Sequence, residues 1–206
     1  MIGFLEFKDC FAGLDCFSLN QIRNIYPDIQ QKNILEWCRQ GMMEQLGNGW
    51  YSFPECTKYV DVVRRIANVL YAPSYVSLHH TLCFYEMIPE AVINITSVTM
   101  QKTRTFDNRF GRFVYQSVKP SFYFGYELLI GRNGKSFFMA TPEKALLDLL
   151  YLYPFYKTEQ DMIDLRLDED FMEVEFNMER FDGYVERVGD AALKERAATL
   201  KKAYGL

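Results

Sequence analysis

The N-terminal fold is decided by one stretch, which reads SLNQIRNIYPDIQQKNILEWCRQGMMEQLGNGWYSFP over residues 18–54. Its first four residues have the spacing of a capping box, in which the side chains of Ser18 and Gln21 each accept a hydrogen bond from a free backbone amide at the start of a helix. We therefore predict a short helix over residues 19–25. That helix ends before Pro27, because the residue that precedes a proline disfavours helical dihedral angles.

A second helix is predicted over residues 29–40. Asp28 can cap its first amides, and Gly41 stands where the left-handed residue that follows a helix belongs. The spacing of the apolar residues indicates which face turns inward. The inward stripe is predicted to consist of Ile34, Leu35 and Cys38, with Ile22 and Ile25 opposite them. The polar remainder is Gln30, Gln31, Lys32, Asn33, Glu36, Arg39 and Gln40.

Two short apolar runs follow, on either side of Gly47-Asn48-Gly49, and they predict a β-hairpin that ends at Pro54. A helix, a capped short helix, a turn, a second helix and a hairpin occur in this order in a winged helix-turn-helix. We predict such a domain over residues 1–56. The second helix of this unit normally enters the major groove of DNA.

The next segment reads as a helix over residues 57–70, within a connection between two domains that spans residues 57–72. Arg64 and Arg65 fall outside the apolar stripe of this helix. The stripe consists of Tyr59, Val62, Val63, Ile66 and Leu70. A further helix is predicted over residues 77–87.

From residue 91 onward, β-branched and aromatic runs alternate with turn formers, which predicts a small, largely antiparallel sheet. Thr141 and Pro142 open a helix as its cap and first residue. The rest of the chain is predicted to be helical, and Asp190 caps the last helix. The strands are predicted at residues 92–98, 112–118, 122–130 and 135–139, with turns at Asp107-Asn108, Pro120 and Asn133-Gly134.

These elements predict an α+β fold. An N-terminal winged helix-turn-helix precedes an α/β domain over residues 73–206, which has a small, mostly antiparallel sheet and C-terminal helices. Of the 206 residues 49% are hydrophobic, which excludes global disorder. No apolar run of about 18 residues occurs, and Glu6, Lys8 and Asp9 stand where a signal peptide would be apolar. We therefore expect a cytoplasmic protein that makes no contact with a membrane.

Charge is unevenly distributed along the chain, which has 23 basic and 27 acidic side chains. Residues 1–57 hold 4 basic and 7 acidic groups, whereas residues 98–153 hold 8 and 4. Within the basic part, arginines are interleaved with phenylalanines over residues 102–112, which suits phosphates, stacked bases or an acidic protein surface. A solvated hairpin whose phenylalanines face the core is the alternative. The candidate residues of this surface are Lys102, Arg104, Arg109 and Arg112.

No residue pattern argues for catalysis, a metal site or a cofactor. The five cysteines contain no C-x-x-C pair and read as thiols in a reducing cytosol. Adjacent histidines on a helix point about 100° apart, so His79 and His80 cannot easily share an ion. Capping, dipole compensation and surface charge explain Glu143, Lys144 and Asp148. We therefore expect no enzyme activity, no catalytic residue, no metal and no cofactor.

Three stretches together resemble the AbiEi-type antitoxins and regulators of abortive-infection toxin–antitoxin systems. Residues 41–54, GMMEQLGNGWYSFP, are similar to the family's hairpin, which ends in G-x-Y-x-x-P. Residues 75–90, YVSLHHTLCFYEMIPE, resemble its S-x-x-x-A-L-x-x-Y-G-L-I-P signature. The third stretch comprises TSV at residues 96–98, TRTF at 103–106, FVY at 113–115 and ATPEKALLDLL at 140–150, and it resembles the core and the T-P-E-K-A-L-L-D-L helix of the family's regulator-like members.

The resemblance implies a winged helix that binds inverted repeats in its own promoter, and a C-terminal domain that neutralises a nucleotidyltransferase-like toxin. We therefore expect an autorepressor and antitoxin of a phage-defence system, with double-stranded promoter DNA as its partner. Carried over to this sequence, the resemblance places wing contacts on Gln45 and Asn48. It places base or phosphate contacts on Gln30, Gln31, Lys32, Asn33 and Arg39.

Other functions stay open from the sequence. A protein-interaction module is one, because the N-terminal part is acidic, whereas DNA affinity usually depends on basic side chains that pair with phosphates. A divergent nucleic-acid enzyme that uses Arg104, Arg109 and Asp148 is another, and it rests on charge clustering alone. A solitary transcription regulator of the same fold, without a toxin partner, is a variant of the first hypothesis.

Overall fold

The computed structural model describes residues 2–131 and 134–206, apart from the side chains of Thr57 and Lys58. Up to Phe53, the described chain forms three helices and a three-stranded antiparallel sheet in the order β1-β3-β2. The elements of this N-terminal part are α1 (Phe4–Phe11), β1 (Phe17–Ser18), α2 (Leu19–Ile25), α3 (Gln31–Arg39), β2 (Glu44–Gly47) and β3 (Trp50–Ser52).

Most local sequence signals place the short elements where they were expected. Asp28 is an exception: α3 begins at Gln31, and its N-cap is Gln30, with no side-chain hydrogen bond. The capping box is present at the start of α2, where the side chains of Ser18 and Gln21 each accept from a backbone amide. Gly41 follows α3 with a φ of 71°, a left-handed conformation that costs little in glycine. The chain reverses between β2 and β3 at residues 47–49, all of which have positive φ. We call residues 44–52 the N-terminal hairpin.

The inward face of α3 differs from the predicted stripe. Ile34 and Trp37 are its buried side chains, whereas Leu35 and Cys38 are half-buried. Ile25 of α2, predicted to face this stripe, is 50% exposed. The indole ring takes the central position because two phenylalanine rings of α1 lie against it, with ring centres 4.8 and 5.4 Å away. The position of α1 was not part of the helical pattern from which the stripe was predicted.

The connecting helix begins later than predicted, at Val60 instead of residue 57. Pro54–Lys58 forms a separate 3-10 helix, and α4 runs over Val60–Leu70. The two are separated by Tyr59, which has extended dihedral angles and an exposed side chain instead of a place in the apolar stripe. Arg64, predicted to lie outside the stripe, is buried.

The C-terminal part is built on a six-stranded sheet in the order β6-β7-β5-β4-β9-β8. Up to the last strand its elements are β4 (Ser74–Val76), α5 (Leu78–Phe84), β5 (Ile95–Thr99), β6 (Arg104–Asn108), β7 (Gly111–Ser117), a 3-10 helix (Pro120–Phe122), β8 (Tyr126–Ile130) and β9 (Ser136–Ala140). The helices that follow are α6 (Pro142–Leu152), α7 (Glu159–Ile163), α8 (Glu169–Val174), α9 (Met178–Val188) and α10 (Ala191–Tyr204).

The sheet is mixed: most of its strand pairings are antiparallel, as predicted, and two are parallel, which the sequence pattern did not predict. β5 pairs in parallel with β7, and β4 pairs in parallel with β9, while the other three pairings are antiparallel. The first parallel pair arises because the chain passes from β5 to the edge strand β6 and then returns between them as β7. The sequence pattern predicted no strand at β4, since three buried residues are too few to show alternation, and none at β6.

The helices after the sheet begin where their caps predict. Thr141 caps α6 through its side chain, with Pro142 as the first helical residue. Asp190 caps α10 in the same way. Of the predicted turns, the one at Asn133 lies outside the described residues. None of the described helices is long and apolar enough to cross a lipid bilayer.

Buried apolar side chains form three groups, and one of them joins the N-terminal hairpin to the C-terminal sheet. The first group lies among α1, α3 and the small sheet, and another lies among α5, α6 and the C-terminal helices. The third lies between α4 and the six-stranded sheet, and it includes Leu46 of β2 beside Phe106 and Phe110. The two parts of the chain therefore share a core.

Candidate nucleic-acid interface

Helix α3 presents a polar face to solvent on the side opposite the N-terminal core. Ile34 and Trp37 hold its other side against α1 and the small sheet. Because successive side chains project about 100° apart, residues on the other side of the helix from these two anchors point outward. Of the predicted contact residues, Gln30, Gln31, Lys32 and Arg39 are exposed and Asn33 is half-buried. Four of the five residues therefore lie on α3 and Gln30 is its N-cap, and four of the five are open to solvent.

Few of these side chains already form a hydrogen bond or an ion pair within the protein. Arg39 lies 3.7 Å from the carboxylate of Glu36 in an exposed ion pair. Gln40 donates a hydrogen bond to the same carboxylate at 2.9 Å. The side chains of Gln31 and Lys32 make no hydrogen bond or ion pair with the part of the chain that is described. Lys32 is therefore the cation on this face that is most readily available to a phosphate.

The tip of the N-terminal hairpin faces the C-terminal part of the chain. The side-chain amide of Asn48 donates to the carbonyl oxygen of Leu70 at 3.2 Å, so its polar group is used within the molecule. Gln45, the other hairpin residue predicted to contact DNA, is exposed. Asn48 is exposed as well, so both predicted hairpin contacts lie at the surface, and Asn48 has part of its amide engaged with Leu70.

Two further contacts hold the hairpin in this position. The Asn108 side-chain amide donates to the carbonyl oxygen of Leu46 at 3.0 Å. Gly47 lies directly over the ring of Phe106, where an added Cβ would be 2.7 Å from a ring carbon. Because that spacing is shorter than real carbon contacts, the hairpin requires glycine at this position. The N-terminal hairpin therefore packs against β6.

The basic segment over residues 102–112 lies beside this contact and includes β6 and the start of β7. The backbone amide of Arg109 donates to the carboxylate of Glu44 on the hairpin, at 3.3 Å. The four basic side chains that were predicted to form a binding surface are all exposed: Lys102, Arg104, Arg109 and Arg112. The structure therefore places basic side chains next to the N-terminal hairpin, although the hairpin itself carries none.

The phenylalanines of the basic segment face the core, as the solvated-hairpin alternative predicted. Phe106 and Phe110 are both buried, so neither ring is open to stack on a base. Arg104 lies over the Phe106 ring, with 4.7 Å between the guanidinium carbon and the ring centre. Arg112 is 3.8 Å from the carboxylate of Asp107. The segment can thus offer exposed charge, but its aromatic rings are committed to packing.

A charged network is enclosed in the C-terminal core. Lys144 and Asp148 have no exposure to solvent, and the ammonium group bonds directly to the carboxylate. Ser77 donates to the same carboxylate at 2.6 Å, and Tyr75 donates to it at 3.1 Å. The Lys144 ammonium also donates to the Tyr75 hydroxyl at 2.9 Å. The expectation that these two residues are surface charges is therefore wrong.

Burial shifts the pKa values of both members of this pair. It raises the pKa of the Asp148 carboxyl above its ordinary value, although Lys144 and the hydroxyl donors oppose the rise. It lowers the pKa of Lys144, which the nearby carboxylate opposes. Because Asp148 is fully enclosed, its carboxylate is out of reach of a nucleic acid in solution. Of the three residues invoked for an enzyme, Arg104 and Arg109 are therefore at the surface and the carboxylate is inside.

Glu143 was assigned to the surface together with Lys144 and Asp148, and it is also buried. Its carboxylate accepts from the backbone amide of Asn177 at 3.0 Å and lies 3.5 Å from the guanidinium of Arg180. It therefore ties α6 to the start of α9. Glu143 still lies in the first turn of α6, where a negative charge interacts favourably with the helix dipole, as expected.

The two adjacent histidines have separate surroundings. Nε2 of His80 accepts from Nε of Arg64 at 3.1 Å, and Nδ1 lies 3.2 Å from the carbonyl oxygen of Asn94. Burial, together with the positive charge of Arg64, lowers the pKa of His80 to about 4. The ring of His79 lies instead 6.0 Å from that of Tyr153. His80 therefore links α4, α5 and the segment before β5 as a neutral side chain.

The cysteines are free thiols, and burial raises the pKa of Cys16 to about 12 and that of Cys38 to about 11. Over residues 2–131 and 134–206, no three His, Cys, Asp or Glu side chains are grouped so that they could hold a metal ion.

Sequence reasoning missed the partners in both buried polar groups. The spacing of Lys144 and Asp148, four residues apart on a helix, is a signal for their pairing. No pattern pointed to Tyr75 and Ser77, which come from β4 and the residue after it. The contact between Arg64 and His80 also joins segments whose proximity depends on how α4 and α5 pack.

Comparison of the chain with models of known protein families gives no match, and no curated protein is significantly similar to it. The resemblance to AbiEi-type proteins therefore rests on the three sequence stretches quoted above.

Proposed function

We propose that this protein is a DNA-binding transcription regulator that places α3 of an N-terminal winged helix-turn-helix in the major groove. The observation that carries the proposal is the exposed polar face of α3, behind which Ile34 and Trp37 anchor the helix to the core. The element order α1-β1-α2-α3-β2-β3 also suits this motif, in which the second helix of the pair reads base edges.

The charge of the surface favours recognition by a few direct contacts over strong general attraction. Lys32 and Arg39 are the exposed cations of α3, and Arg23 on α2 is exposed as well. Glu36 lies on the same helix and offsets part of this charge. Since each phosphate contact contributes about 0.9 to the salt slope of DNA binding, we expect a shallow slope for this protein.

The basic segment is proposed to supply phosphate contacts beside the reading helix. Lys102, Arg104, Arg109 and Arg112 are exposed, and Arg109 adjoins Glu44 of the hairpin. Phosphate contacts position a protein on DNA without reading sequence, and a rigid seat for the hairpin would keep the two surfaces in register. In this proposal Gln45 stays a DNA contact, whereas Asn48 serves to hold the hairpin.

The resemblance to AbiEi-type proteins supports a more specific proposal for the physiological role. The regulator would act in the cytoplasm, repress its own promoter at inverted repeats, and neutralise a nucleotidyltransferase-like toxin. A solitary regulator without a toxin would have the same DNA-binding surface.

Fluorescence anisotropy with the duplex just upstream of the gene tests the proposal. The wild-type protein should prefer this duplex to a scrambled one at physiological salt. The double variant Lys32→Ala/Arg39→Ala should bind roughly tenfold more weakly, and its salt slope should fall by about two units because two phosphate contacts are removed.

A matched control removes the same charge elsewhere. Lys119 and Lys157 are exposed lysines outside the proposed surface, so Lys119→Ala/Lys157→Ala should leave binding close to wild type. Equal binding of the upstream and scrambled duplexes would contradict DNA recognition. Equal effects of the two double variants would mean that α3 does not read the DNA.

A protein-interaction module is the second candidate, favoured by the position of the N-terminal hairpin. Leu46 is buried against the C-terminal part, and the exposed Asn48 donates a hydrogen bond to the carbonyl oxygen of Leu70. A wing that is engaged in this way offers less to DNA than a free one. Absence of specific DNA binding together with capture of a protein partner would favour this candidate.

A further inference from the structure

Two clefts meet at the C-terminal end of α5. One, of about 740 Å³, lies among α4, β8 and the end of α5, and the other, of about 440 Å³, lies between that end and α8. Phe84 and Tyr85 line both clefts, so the two adjoin and are described together as one groove. We call it the α5 groove. It lies outside the proposed DNA surface, and none of the proposed DNA-contact residues lines it.

Exposed apolar side chains line both ends of the α5 groove. Ile130 of β8, which is 78% exposed, lines the first cleft together with the exposed Val60. Val174 of α8, which is 81% exposed, lines the second, and Phe84 lines both. Single apolar residues at a surface need no explanation, but several of them along one groove favour a binding surface.

The end of the groove at α8 is acidic. Glu86, Asp170 and Glu175 line it, and none of their carboxylates has an ion pair within the described residues. A fourth carboxylate, that of Asp168, caps α8 by accepting from Phe171. No described lysine or arginine lines this end. A basic occupant is therefore favoured at the acidic end, where its charge would meet these carboxylates.

The walls of the groove are fixed before anything binds. The guanidinium of Arg64 lies 4.6 Å from the centre of the Phe84 ring and bonds to Asp61 at 2.8 Å. The backbone amide of Asp168 donates to the carbonyl oxygen of Met87 at 2.9 Å, which ties α8 to the segment after α5. A preformed site loses little conformational entropy on binding.

We propose that the α5 groove docks a basic amphipathic helix of a partner protein. A helix of this kind lays its apolar side chains, spaced three and four residues apart, into a hydrophobic groove, and its lysines or arginines would meet the carboxylates at α8. A second copy of this chain fits less well, because the two acidic ends would repel. The proposal is independent of DNA binding.

The test uses a model helix as a probe of the full-length protein. A fluorescein-labelled peptide of about 14 residues, with leucines on one face and lysines on the other, is titrated with protein and followed by anisotropy. Its twin carries glutamates in place of the lysines. The lysine peptide should bind at least roughly tenfold more tightly than its twin, and added salt should weaken that binding.

Paired variants locate the site. Val174→Lys and Asp170→Lys should each weaken binding of the lysine peptide by roughly tenfold. Ile93→Lys, at an apolar residue 87% exposed outside the groove, and Glu173→Lys, on α8 but not lining the groove, should not. Circular dichroism verifies that all four variants are folded.

Three outcomes overturn the proposal. The first is equal binding of the two peptides, or no binding of either. The second is an equal effect of the groove variants and their controls. The third is self-association of the wild-type protein in sedimentation velocity that Val174→Lys abolishes, which would make a second copy the occupant.

Discussion

At the scale of single residues, the pair of Lys144 and Asp148 is the most demanding feature of the molecule. Both groups are enclosed, and the removal of charges from water is costly unless each finds a partner. The carboxylate accepts from Ser77, Tyr75 and the ammonium group, so all the charge is compensated locally. Such a network is robust when complete and costly to break in part.

Removal of one charge from this pair should therefore destabilise the protein strongly. We expect Lys144→Met to lower the free energy of unfolding by about 3–5 kcal/mol, because it leaves a buried carboxylate without its counter-ion. The double variant Lys144→Met/Asp148→Leu should cost less than the sum of the single variants. Urea denaturation at neutral pH measures both.

The control for this prediction is an exposed pair. Lys194 bonds to Glu186 at 2.6 Å on the surface, so Lys194→Met should cost less than about 1 kcal/mol. Additive effects of Lys144→Met and Asp148→Leu would show that the two charges are not coupled.

His80 predicts a pH dependence of stability. Its pKa is lowered to about 4 in the folded protein, from an ordinary value of 6.5, so the unfolded chain binds more protons between these values. The stabilising contribution is complete above pH 6.5 and is lost as the pH falls towards 4. Between pH 7 and pH 5 the loss from this group should be about 2 kcal/mol.

The variant His80→Gln isolates this contribution. It removes the titrating group, so the difference in stability between wild type and variant should shrink by that amount between pH 7 and pH 5, measured by urea denaturation at each pH. A difference that does not change with pH would contradict the lowered pKa.

At the scale of elements, the position of the N-terminal hairpin depends on its turn. Gly47 has a φ of 112° and lies against the ring of Phe106, whereas Gly49 has a φ of 76° and open space around it. Both positions favour glycine for their backbone, but only the first also requires the absence of a side chain. The turn therefore provides a way to separate backbone strain from the contact with β6.

Gly47→Ala should destabilise the protein by about 2 kcal/mol more than Gly49→Ala, because it adds a steric clash and because a φ of 112° lies further from the left-handed region than 76°. Urea denaturation of the two variants gives the difference. In a Phe106→Ala background the ring is absent, and the difference between the two substitutions should shrink. A difference that is unchanged in that background would mean that the contact with β6 is not part of the cause.

At the scale of the whole molecule, one carboxylate connects the N-terminal part to the C-terminal part. Asp15 is nearly buried, and it accepts from Arg65 of α4 and from Lys135 beside β9, each at 2.6 Å. Ser52 also donates to its backbone carbonyl at 2.5 Å. The orientation of α3 relative to the basic segment on β6 and β7 therefore depends on contacts between distant parts of the chain.

Asp15→Asn should weaken that connection, with a cost of about 2 kcal/mol for the lost charged hydrogen bonds. Hydrogen exchange should report faster opening of α1 to β3, while the amides of α10 change less. Asp182→Asn, which removes an exposed partner of Lys201, is the control and should not alter the N-terminal amides. Uniform acceleration over the whole chain would contradict a local role for Asp15.

The sequence by itself determined the local elements with chemical start and stop signals. Ser18 with Gln21, Thr141 with Pro142, and Asp190 all begin helices, and Gly41 follows one. These signals act through hydrogen bonds and dihedral preferences within a few residues, so no tertiary information is required to interpret them. The polar face of α3 follows from the same helical period.

Only the tertiary structure decided which segments meet. The central strand β4, the parallel pairing of β5 with β7, the packing of the hairpin on β6 and the contacts of Tyr75 and Ser77 with the buried Asp148 all join residues far apart in sequence. A three-residue strand has no periodicity, and a charged residue reads as exposed until its partner is known. Strand order and partner choice depend on loop closure and packing of the whole chain, which local patterns do not contain.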